Sequence, residues 1–182
     1  EEYAAQYGKE AFAKTVAAVY GDYQKRLKDA NAFDFDDLLM QAVLLLQSSP
    51  DVLQKYQNRY QYLHIDEFQD TNYPHYLLVR LLAQKHGNIF VIGDDAQSIY
   101  SWRGADWRNI LNFEKDWPGA RVIFLEENYR STKTILAAAN SLIGYNALQK
   151  KKNLWTDNGE GVRIAMTFAD TERHEARTIA EE

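Results

Sequence analysis

The sequence predicts an α/β protein in which a partial parallel sheet with flanking helices follows a helical segment. Three observations support this fold class. The first third carries apolar residues at helical spacing, the middle alternates short β-branched runs with helical stretches, and acidic residues directly follow two of the short runs. A strand–helix–strand order is typical of a parallel sheet with helices on its faces.

Three helices are predicted before residue 60. Over residues 9–30 the apolar side chains recur at the spacing of one helix face. Asp34 is expected to cap a second helix, because a short carboxylate accepts the unpaired N–H groups of a first turn. The apolar positions of this second helix are Leu38, Leu39, Ala42, Val43 and Leu46. Ser49-Pro50-Asp51 begins a short third helix, since proline is favoured at the first helical position.

The middle of the chain is expected to form the sheet. Strands are predicted at residues 60–65, 88–92 and 121–125, and helices at residues 73–86 and 106–116. Ligands of parallel sheets bind at the carboxyl ends of the strands. Asp66-Glu67 and Gly93-Asp94-Asp95 each follow a strand, so both are expected to face the same crevice.

The last quarter is predicted to continue the α/β pattern. A helix covers residues 131–146 and begins at Ser131 or Thr132, a strand covers residues 162–168, and a further helix starts at Thr171. Loops are marked by Lys150-Lys151-Lys152, Asn158-Gly159 and Gly161.

Composition restricts the class of protein. The 46% hydrophobic content predicts a packed interior, and no apolar run is long enough to span a membrane. The chain has no cysteine, which excludes disulfides and thiolate metal sites and fits a cytoplasmic protein. The net charge of -5 gives no general attraction to nucleic acid, so a DNA-binding role needs a local site with stacking aromatic side chains.

The two ends predict a fragment. The chain begins Glu1-Glu2-Tyr3 without a methionine, and it stops at Glu181-Glu182 inside a predicted helix.

The acid pair in "YLHIDEFQDTN" indicates metal and water chemistry. Mg²⁺ is usually held by one or two protein carboxylates while substrate phosphates supply the remaining oxygens, and Asp66 at a strand end suits that role. Glu67 points differently and can polarise a water for attack on a γ-phosphate. The ordinary alternative is that acids after a strand only cap the next helix, as Asp70 would here.

The stretch "VIGDDAQSIYSWRGADW" combines a neutral amide with aromatic side chains. Gln97 is placed to bond a terminal phosphate oxygen. Tyr100 and Trp102, with Arg103 beside them, form a plausible platform for unstacked bases. The alternative is that both rings are core aromatics, but the surrounding Asp, Ser, Arg and Gly argue against full burial.

In "FLEENYRSTKTIL", Arg130 precedes a helix start and can reach a phosphate as an arginine finger. Tyr129 beside it can stack on a base. The alternative is a surface ion pair of Arg130 with Glu126 or Glu127, which contributes little.

A phosphate-binding loop of the G-x-x-x-x-G-K-[ST] type is absent from these 182 residues. The only Gly-Lys pair is Gly8-Lys9, which Glu10 follows, and Tyr3 stands where the first glycine belongs. The sequence therefore carries the metal-and-water half of a nucleotide site without the phosphate cradle.

Together these stretches resemble the UvrD/PcrA/Rep family of superfamily 1 DNA helicases. "IDEFQDTN" is similar to helicase motif II, "GDDAQSIYSWRGAD" to motif III and "LEENYRST" to motif IV, in the family's order. "DFDDLL" at residues 34–39 and "KNLWT" at residues 152–156 extend the resemblance over nearly the whole chain. Nuclease–helicases of the RecB/AddA type share motif II but differ more in the other two.

The resemblance implies a role for each matching residue. Asp66 would coordinate Mg²⁺, Glu67 would be the catalytic base for ATP hydrolysis, and Gln97 would sense the γ-phosphate. Trp102 with Tyr100 would stack on single-stranded DNA. Further implied roles are an arginine finger for Arg130, adenine stacking for Tyr129, and coupling of the two sites for Asp70, Asp94 and Arg103.

The resemblance also implies a RecA-like P-loop NTPase fold in parts. Residues 1–33 would end a helical insertion subdomain, residues 34–128 would form the C-terminal part of a first RecA-like domain, and residues 129–182 would start a second. The expected partners are single-stranded DNA, junctions of single- and double-stranded DNA, and the remaining segments of the parent helicase. The isolated chain, which lacks a P-loop, is expected not to hydrolyse ATP.

Two other functions stay open. In the first alternative, the chain is a non-catalytic RecA-like module that binds single-stranded DNA or a protein. In the second, it is a metal-dependent nuclease or phosphohydrolase. The first fits the missing P-loop and the net acidity, but it leaves the full set of site residues without a purpose. The second would use the carboxylates of Asp66, Glu67, Asp70, Asp94 and Asp95 together.

Overall fold

The structure, a computed structural model, describes residues 11–181. The chain divides into two compact units, with the boundary between Ile110 and Leu111. The Gly8-Lys9 pair, the start of the first predicted helix at residues 9 and 10, and the two terminal residues Glu1 and Glu182 lie outside the described residues.

Three helices open the first unit, as predicted. Helix α1 is Ala11–Asp29, α2 is Phe35–Ser48 and α3 is Pro50–Arg59. Asp34 caps α2 in a capping box, in which its carboxylate accepts the N–H of Asp37 at 2.8 Å and the Asp37 carboxylate accepts the N–H of Asp34 at 3.3 Å. The predicted cap is therefore confirmed.

A short parallel sheet follows the helices. Strand β1 is Leu63–Ile65 and β2 is Ile89–Val91, paired with His64 opposite Phe90. Helix α4, Tyr73–Ala83, connects the two strands in the expected crossover, and it packs on α2 and α3. The buried apolar side chains of this unit are Ala13, Val43, Leu46, Phe68 and Ala83. The mixed class of helices with a small parallel sheet agrees with the prediction.

Three single turns of 3₁₀ helix lie around the carboxyl end of this sheet, at Phe68–Asp70, Asp95–Gln97 and Ser101–Arg103. Helix α5, Arg108–Asp116, then crosses the boundary between the units. Short turns in place of long loops keep the residues after β1 and β2 close to the strand ends.

The second unit contains α6, Lys133–Ile143, and α7, Glu172–Glu181, both near their predicted positions. Thr132 is the N-cap residue of α6. A single parallel bridge joins Glu127 to Trp155. Leu136 on α6 is buried.

Two predicted strands are wrong. Residues 121–125 and 162–168 are not strands, and among the described residues the sheet has only β1 and β2. The side chains of Ile123, Leu125 and Phe168 are 63%, 79% and 82% exposed. β-Branched and aromatic residues favour a strand only when a neighbouring strand supplies hydrogen bonds and a packed face. Residues 121–125 and 162–168 have a high strand propensity but are not paired with a neighbouring strand.

Within the part of the chain that is described, no helix is both long and apolar enough to cross a membrane.

Candidate functional site

The end of β1 places the acid pair at the carboxyl edge of the sheet. Asp66 and Glu67 follow the strand directly, and both are exposed. The backbone of Glu67 is left-handed, with φ 50° and ψ 44°, a conformation that costs energy in a non-glycine residue. The Asp66 carboxylate accepts the Glu67 N–H at 3.0 Å. The two acids therefore lie on a sharp turn that is closed by a hydrogen bond between them.

Gln69 joins this turn to the loop after β2. Its side-chain Nε2 donates to the Glu67 carboxylate at 2.7 Å, and its Oε1 accepts the Asp94 N–H at 3.0 Å. A backbone bond from the Phe68 N–H to the Ile92 carbonyl, 2.9 Å, runs beside it. The loops after β1 and β2 are therefore in direct contact.

Asp94 continues the connection to Gln97. One oxygen of the Asp94 carboxylate accepts the Ala96 N–H at 2.9 Å, and the other accepts Nε2 of Gln97 at 2.8 Å. A continuous set of hydrogen bonds thus runs from Glu67 through Gln69 and Asp94 to the exposed Gln97. The structure brings the predicted base, coupling residue and phosphate sensor into one array.

Asp70 does not cap the next helix, so that alternative is wrong. Asn72 is the N-cap of α4, in a capping box with His75. Asn72 takes this role because it is the last residue in an extended conformation before the helix, whereas Asp70 lies inside the preceding 3₁₀ turn. One oxygen of Asp70 is buried without a hydrogen-bond partner among the described residues. An unpaired buried acceptor costs about 1–3 kcal/mol.

The aromatic loop, defined here as residues 98–106, carries the predicted stacking residues. The rings of Tyr100 and Trp102 are 6.4 Å apart and tilted by 52°. The guanidinium of Arg103 lies 4.8 Å from the Trp102 ring centroid and 5.8 Å from that of Tyr100. Trp102 is 74% exposed, so it is not a core residue. The loop presents an aromatic face with a cation bound against it.

Both ends of the aromatic loop are bonded to the turn that follows β1. At its start, Oγ of Ser98 donates to the carbonyl of Gln69 at 3.3 Å. At its end, the Asp106 N–H donates to the carbonyl of Thr71 at 3.0 Å. Nδ2 of Asn109 reaches the same carbonyl at 3.1 Å and the Thr71 hydroxyl at 3.2 Å. The exposed rings are therefore held on a frame that also holds Glu67.

In the second unit, Tyr129 and Arg130 lie on a turn closed by Asn128. The Asn128 side chain accepts the N–H groups of Arg130 and Ser131 at 3.0 and 2.7 Å. The hydroxyl of Tyr129 donates to Glu127 at 2.8 Å, and this hydrogen bond raises the pKa of Tyr129. Both Tyr129 and Arg130 are exposed.

The alternative surface pair of Arg130 with a neighbouring acid is not formed among the described residues. Glu127 accepts from Tyr129, and Glu126 accepts the N–H of Asn153 at 2.9 Å. The exposed guanidinium therefore remains compatible with binding an anion.

The acidic residues fit a metal ion held largely by substrate oxygens. Among residues 11–181, no three His, Cys, Asp or Glu side chains are arranged to hold a metal ion. Mg²⁺ commonly uses one or two protein carboxylates together with phosphate oxygens, and the exposed Asp66 at the strand end suits that donor set. The nuclease alternative needs a carboxylate cluster, which this arrangement does not favour.

Sequence reasoning missed Gln69, Thr71 and Asn109 as parts of the site. The only available signal was the polar run "FQDTN" directly after the acid pair, which breaks the apolar pattern of the strand. A buried amide and a surface amide look the same in a sequence, so the bonds of Gln69 were not predictable from that signal.

Two family models match the chain. Residues 1–118 match the UvrD/REP helicase N-terminal domain, and residues 123–182 match the UvrD-like helicase C-terminal domain. Among curated proteins, the ATP-dependent DNA helicase PcrA of Leuconostoc citreum is 54% identical over 169 residues. The proteins of the same name from Staphylococcus aureus and Bacillus subtilis are 54% and 52% identical. Each alignment covers 93% of this chain and 23% of the relative, so the chain spans about a quarter of their length.

Proposed function

This chain belongs to the UvrD/REP helicase family, and from that premise we propose that it is part of an ATP-dependent DNA helicase. The parent protein would couple ATP hydrolysis to translocation on single-stranded DNA and to duplex unwinding. The observation that carries the proposal is the hydrogen-bonded array from Glu67 to Gln97, which lies in the same unit as the exposed ring of Trp102.

Hydrolysis would take place at the carboxyl edge of β1. Glu67 accepts a proton from the attacking water as the catalytic base, and Gln97 contacts the γ-phosphate through its exposed amide. Asp66 would hold Mg²⁺, which neutralises charge on the phosphate oxygens when it is bound. Since Glu67 already receives a hydrogen bond from Gln69, its carboxylate is oriented before substrate arrives.

Single-stranded DNA would bind on the aromatic loop. A base stacking on Trp102 gains about 1–3 kcal/mol, and the Arg103 guanidinium adds positive charge beside the ring. This local cation and aromatic surface can act despite the net charge of -5. We propose single-stranded DNA and its junctions with duplex as the partners, together with the remaining segments of the parent helicase.

We propose further roles for residues of the second unit. Arg130 would act as an arginine finger on the transferred phosphoryl group, and Tyr129 would stack on adenine. Asp70, Asp94 and Arg103 would couple nucleotide to DNA. The RecA-like fold, with the domain boundaries at residues 33 and 128, is part of the same proposal.

The isolated chain is expected to lack ATPase activity, because its sequence has no P-loop to hold the phosphates. A cytoplasmic location stays a prediction from the cysteine-free composition.

The test is a comparison of ATPase activity in the full-length parent protein and in the 182-residue chain, each with and without single-stranded DNA. The parent is expected to show DNA-stimulated turnover that Glu67→Gln reduces by several orders of magnitude, while the chain alone shows none. A strand-displacement assay on a partial duplex then measures unwinding. DNA-stimulated turnover by the isolated chain would contradict the account of it as half a site.

The same experiment separates the alternatives. DNA binding by the parent without any ATP turnover would favour the non-catalytic module. Metal-dependent cutting of DNA without ATP would favour the nuclease. The match to a helicase family does not favour a nuclease.

A further inference from the structure

Gln69 is an unusual residue to find at 1% exposure next to an exposed catalytic edge. Burial of an amide is unfavourable unless hydrogen bonds replace those to water. Gln69 forms such hydrogen bonds with two different loops. Its Nε2 donates to the Glu67 carboxylate at 2.7 Å, and its Oε1 accepts the Asp94 N–H at 3.0 Å. Its side chain is therefore a direct link between the loop after β1 and the loop after β2.

The orientation of this amide is determined by its partners. An amide carries a donor on one side and an acceptor on the other. The reversed orientation would place the NH₂ group against the Asp94 N–H and the oxygen against the Glu67 carboxylate, so both contacts would become repulsive. Only the observed orientation satisfies both loops.

Gly93 allows the loop after β2 to approach the amide closely. A Cβ atom at Gly93 would lie 2.6 Å from Oε1 of Gln69 and 3.1 Å from the N atom of Phe68. Only a residue without a side chain allows the loop after β2 to approach this closely. The backbone at Gly93 thus lies directly against the Gln69 amide, whose two hydrogen bonds hold it between the two loops.

We propose that Gln69 is a positioning residue that fixes the Glu67 carboxylate relative to the loop bearing Gln97. Through Asp94, whose carboxylate binds the Gln97 amide at 2.8 Å, a shift of Gln97 on a phosphate is transmitted to Glu67. The inference deepens the proposed ATPase function and rests on it. Reaction rates depend steeply on such alignment, since a misplacement of about 1 Å costs on the order of 100-fold.

The test uses two substitutions in the full-length parent protein. Gln69→Met keeps the volume and removes both hydrogen bonds. Gln69→Glu keeps the shape and the acceptor for the Asp94 N–H, but it replaces the donor to Glu67 by an oxygen. If the bond to Glu67 matters, both variants lose activity even though Gln69→Glu retains the link to Asp94.

The matched control is Gln57→Met. Gln57 is also a buried glutamine, 7% exposed, and its Nε2 donates to the carbonyl of Leu81 at 2.7 Å, with no bond to the site. A purely structural effect of losing a buried amide would be the same in both positions. The control is expected to lower the unfolding temperature and leave kcat unchanged.

The readouts are kcat and KM for ATP in DNA-stimulated hydrolysis, with Kd for a single-stranded oligonucleotide. We expect kcat to fall about 10- to 100-fold in both Gln69 variants, as for loss of a hydrogen bond to a charged group, while KM and Kd change less than about threefold. If the kcat of Gln69→Glu is within about twofold of the parent's, the positioning role of Gln69 is overturned and the proposed ATPase function is unaffected. Absence of ATPase activity in the parent overturns the proposed function and this inference with it.

Discussion

Replacing Gly93 by alanine is the most direct probe of the packing between the two strand-end loops. The φ angle of Gly93 lies outside the left-handed region, so alanine can adopt the same backbone conformation. The cost is therefore steric. The added Cβ would lie 2.6 Å from Oε1 of Gln69 and 2.8 Å from Cδ1 of Ile110, whereas ordinary contacts begin at 3.4 Å.

The expected loss in free energy of unfolding depends on which of the neighbouring atoms can move away from the added Cβ. Ile110 can change its rotamer, but Gln69 is buried and doubly bonded, and the N atom of Phe68 at 3.1 Å belongs to the backbone. Overpacking of this kind costs about 1–3 kcal/mol. Alanine offsets about 0.4–1 kcal/mol of this by restricting the unfolded chain. The net loss is about 0–2.6 kcal/mol, and the middle of both ranges gives about 1.3 kcal/mol, which lowers the unfolding temperature by about 3–5 °C in a protein of this size.

The measurement is thermal unfolding of the 182-residue chain by scanning calorimetry, with Gly21→Ala as the control. Gly21 lies inside α1, where an added Cβ meets nothing within 4 Å. The control should raise stability by about 0.5–1 kcal/mol, because alanine is the better helix residue. If Gly93→Ala unfolded at or above the parent's temperature while Gly21→Ala showed its rise, the reasoning about a rigid Gln69 would be refuted.

Three further predictions concern the aromatic loop, α5 and α4. Trp102→Ala in the full-length protein should weaken single-stranded DNA binding by about 5- to 150-fold, the loss of one stacked base, with little change in unfolding temperature because the ring is 74% exposed. Asn109→Ala should cost about 0.5–1.5 kcal/mol in urea unfolding, because it removes the donor to the carbonyl and hydroxyl of Thr71. Burial lowers the pKa of His75, so the folded state binds fewer protons than the unfolded state, and stability should fall as pH drops from about 6.5 through the lowered value. His75→Gln, which preserves the capping box with Asn72, should remove that pH dependence.

Each of these has a result that would contradict it. Equal DNA affinity of Trp102→Ala and the parent would exclude the exposed ring as a stacking site. Unchanged stability of Asn109→Ala would mean that water replaces its bonds to Thr71. A His75→Gln variant with the parent's full loss of stability between pH 7 and pH 5 would assign that loss to other groups.

Local signals in the sequence predicted most of the helices and the position of the acids. The capping of α2 by Asp34 and the proline at the start of α3 depend on residues within one turn of each other. A short stretch of sequence is therefore enough to predict where each of these helices begins. The placement of Asp66 and Glu67 at the end of a strand followed from the same kind of local reading.

Strand prediction failed where a local signal was not sufficient. Residues 121–125 and 162–168 have the composition of strands, but a strand exists only when a neighbour completes its hydrogen bonds. The pairing of β1 with β2 required the chain to return after α4. Pairing of this kind is a property of the tertiary structure and not of the segment.

By itself, the sequence determined the mixed class of helices with a small parallel sheet, the order of the motifs and the chemical types of the proposed site residues, because these depend on composition and short-range spacing. Only the tertiary structure decided how those residues are connected. The bond from Asp94 to Gln69 spans 25 positions and the bond from Asn109 to Thr71 spans 38. Contacts at that separation form only after the sheet brings both loops to one edge, so their geometry follows from packing that no local pattern records.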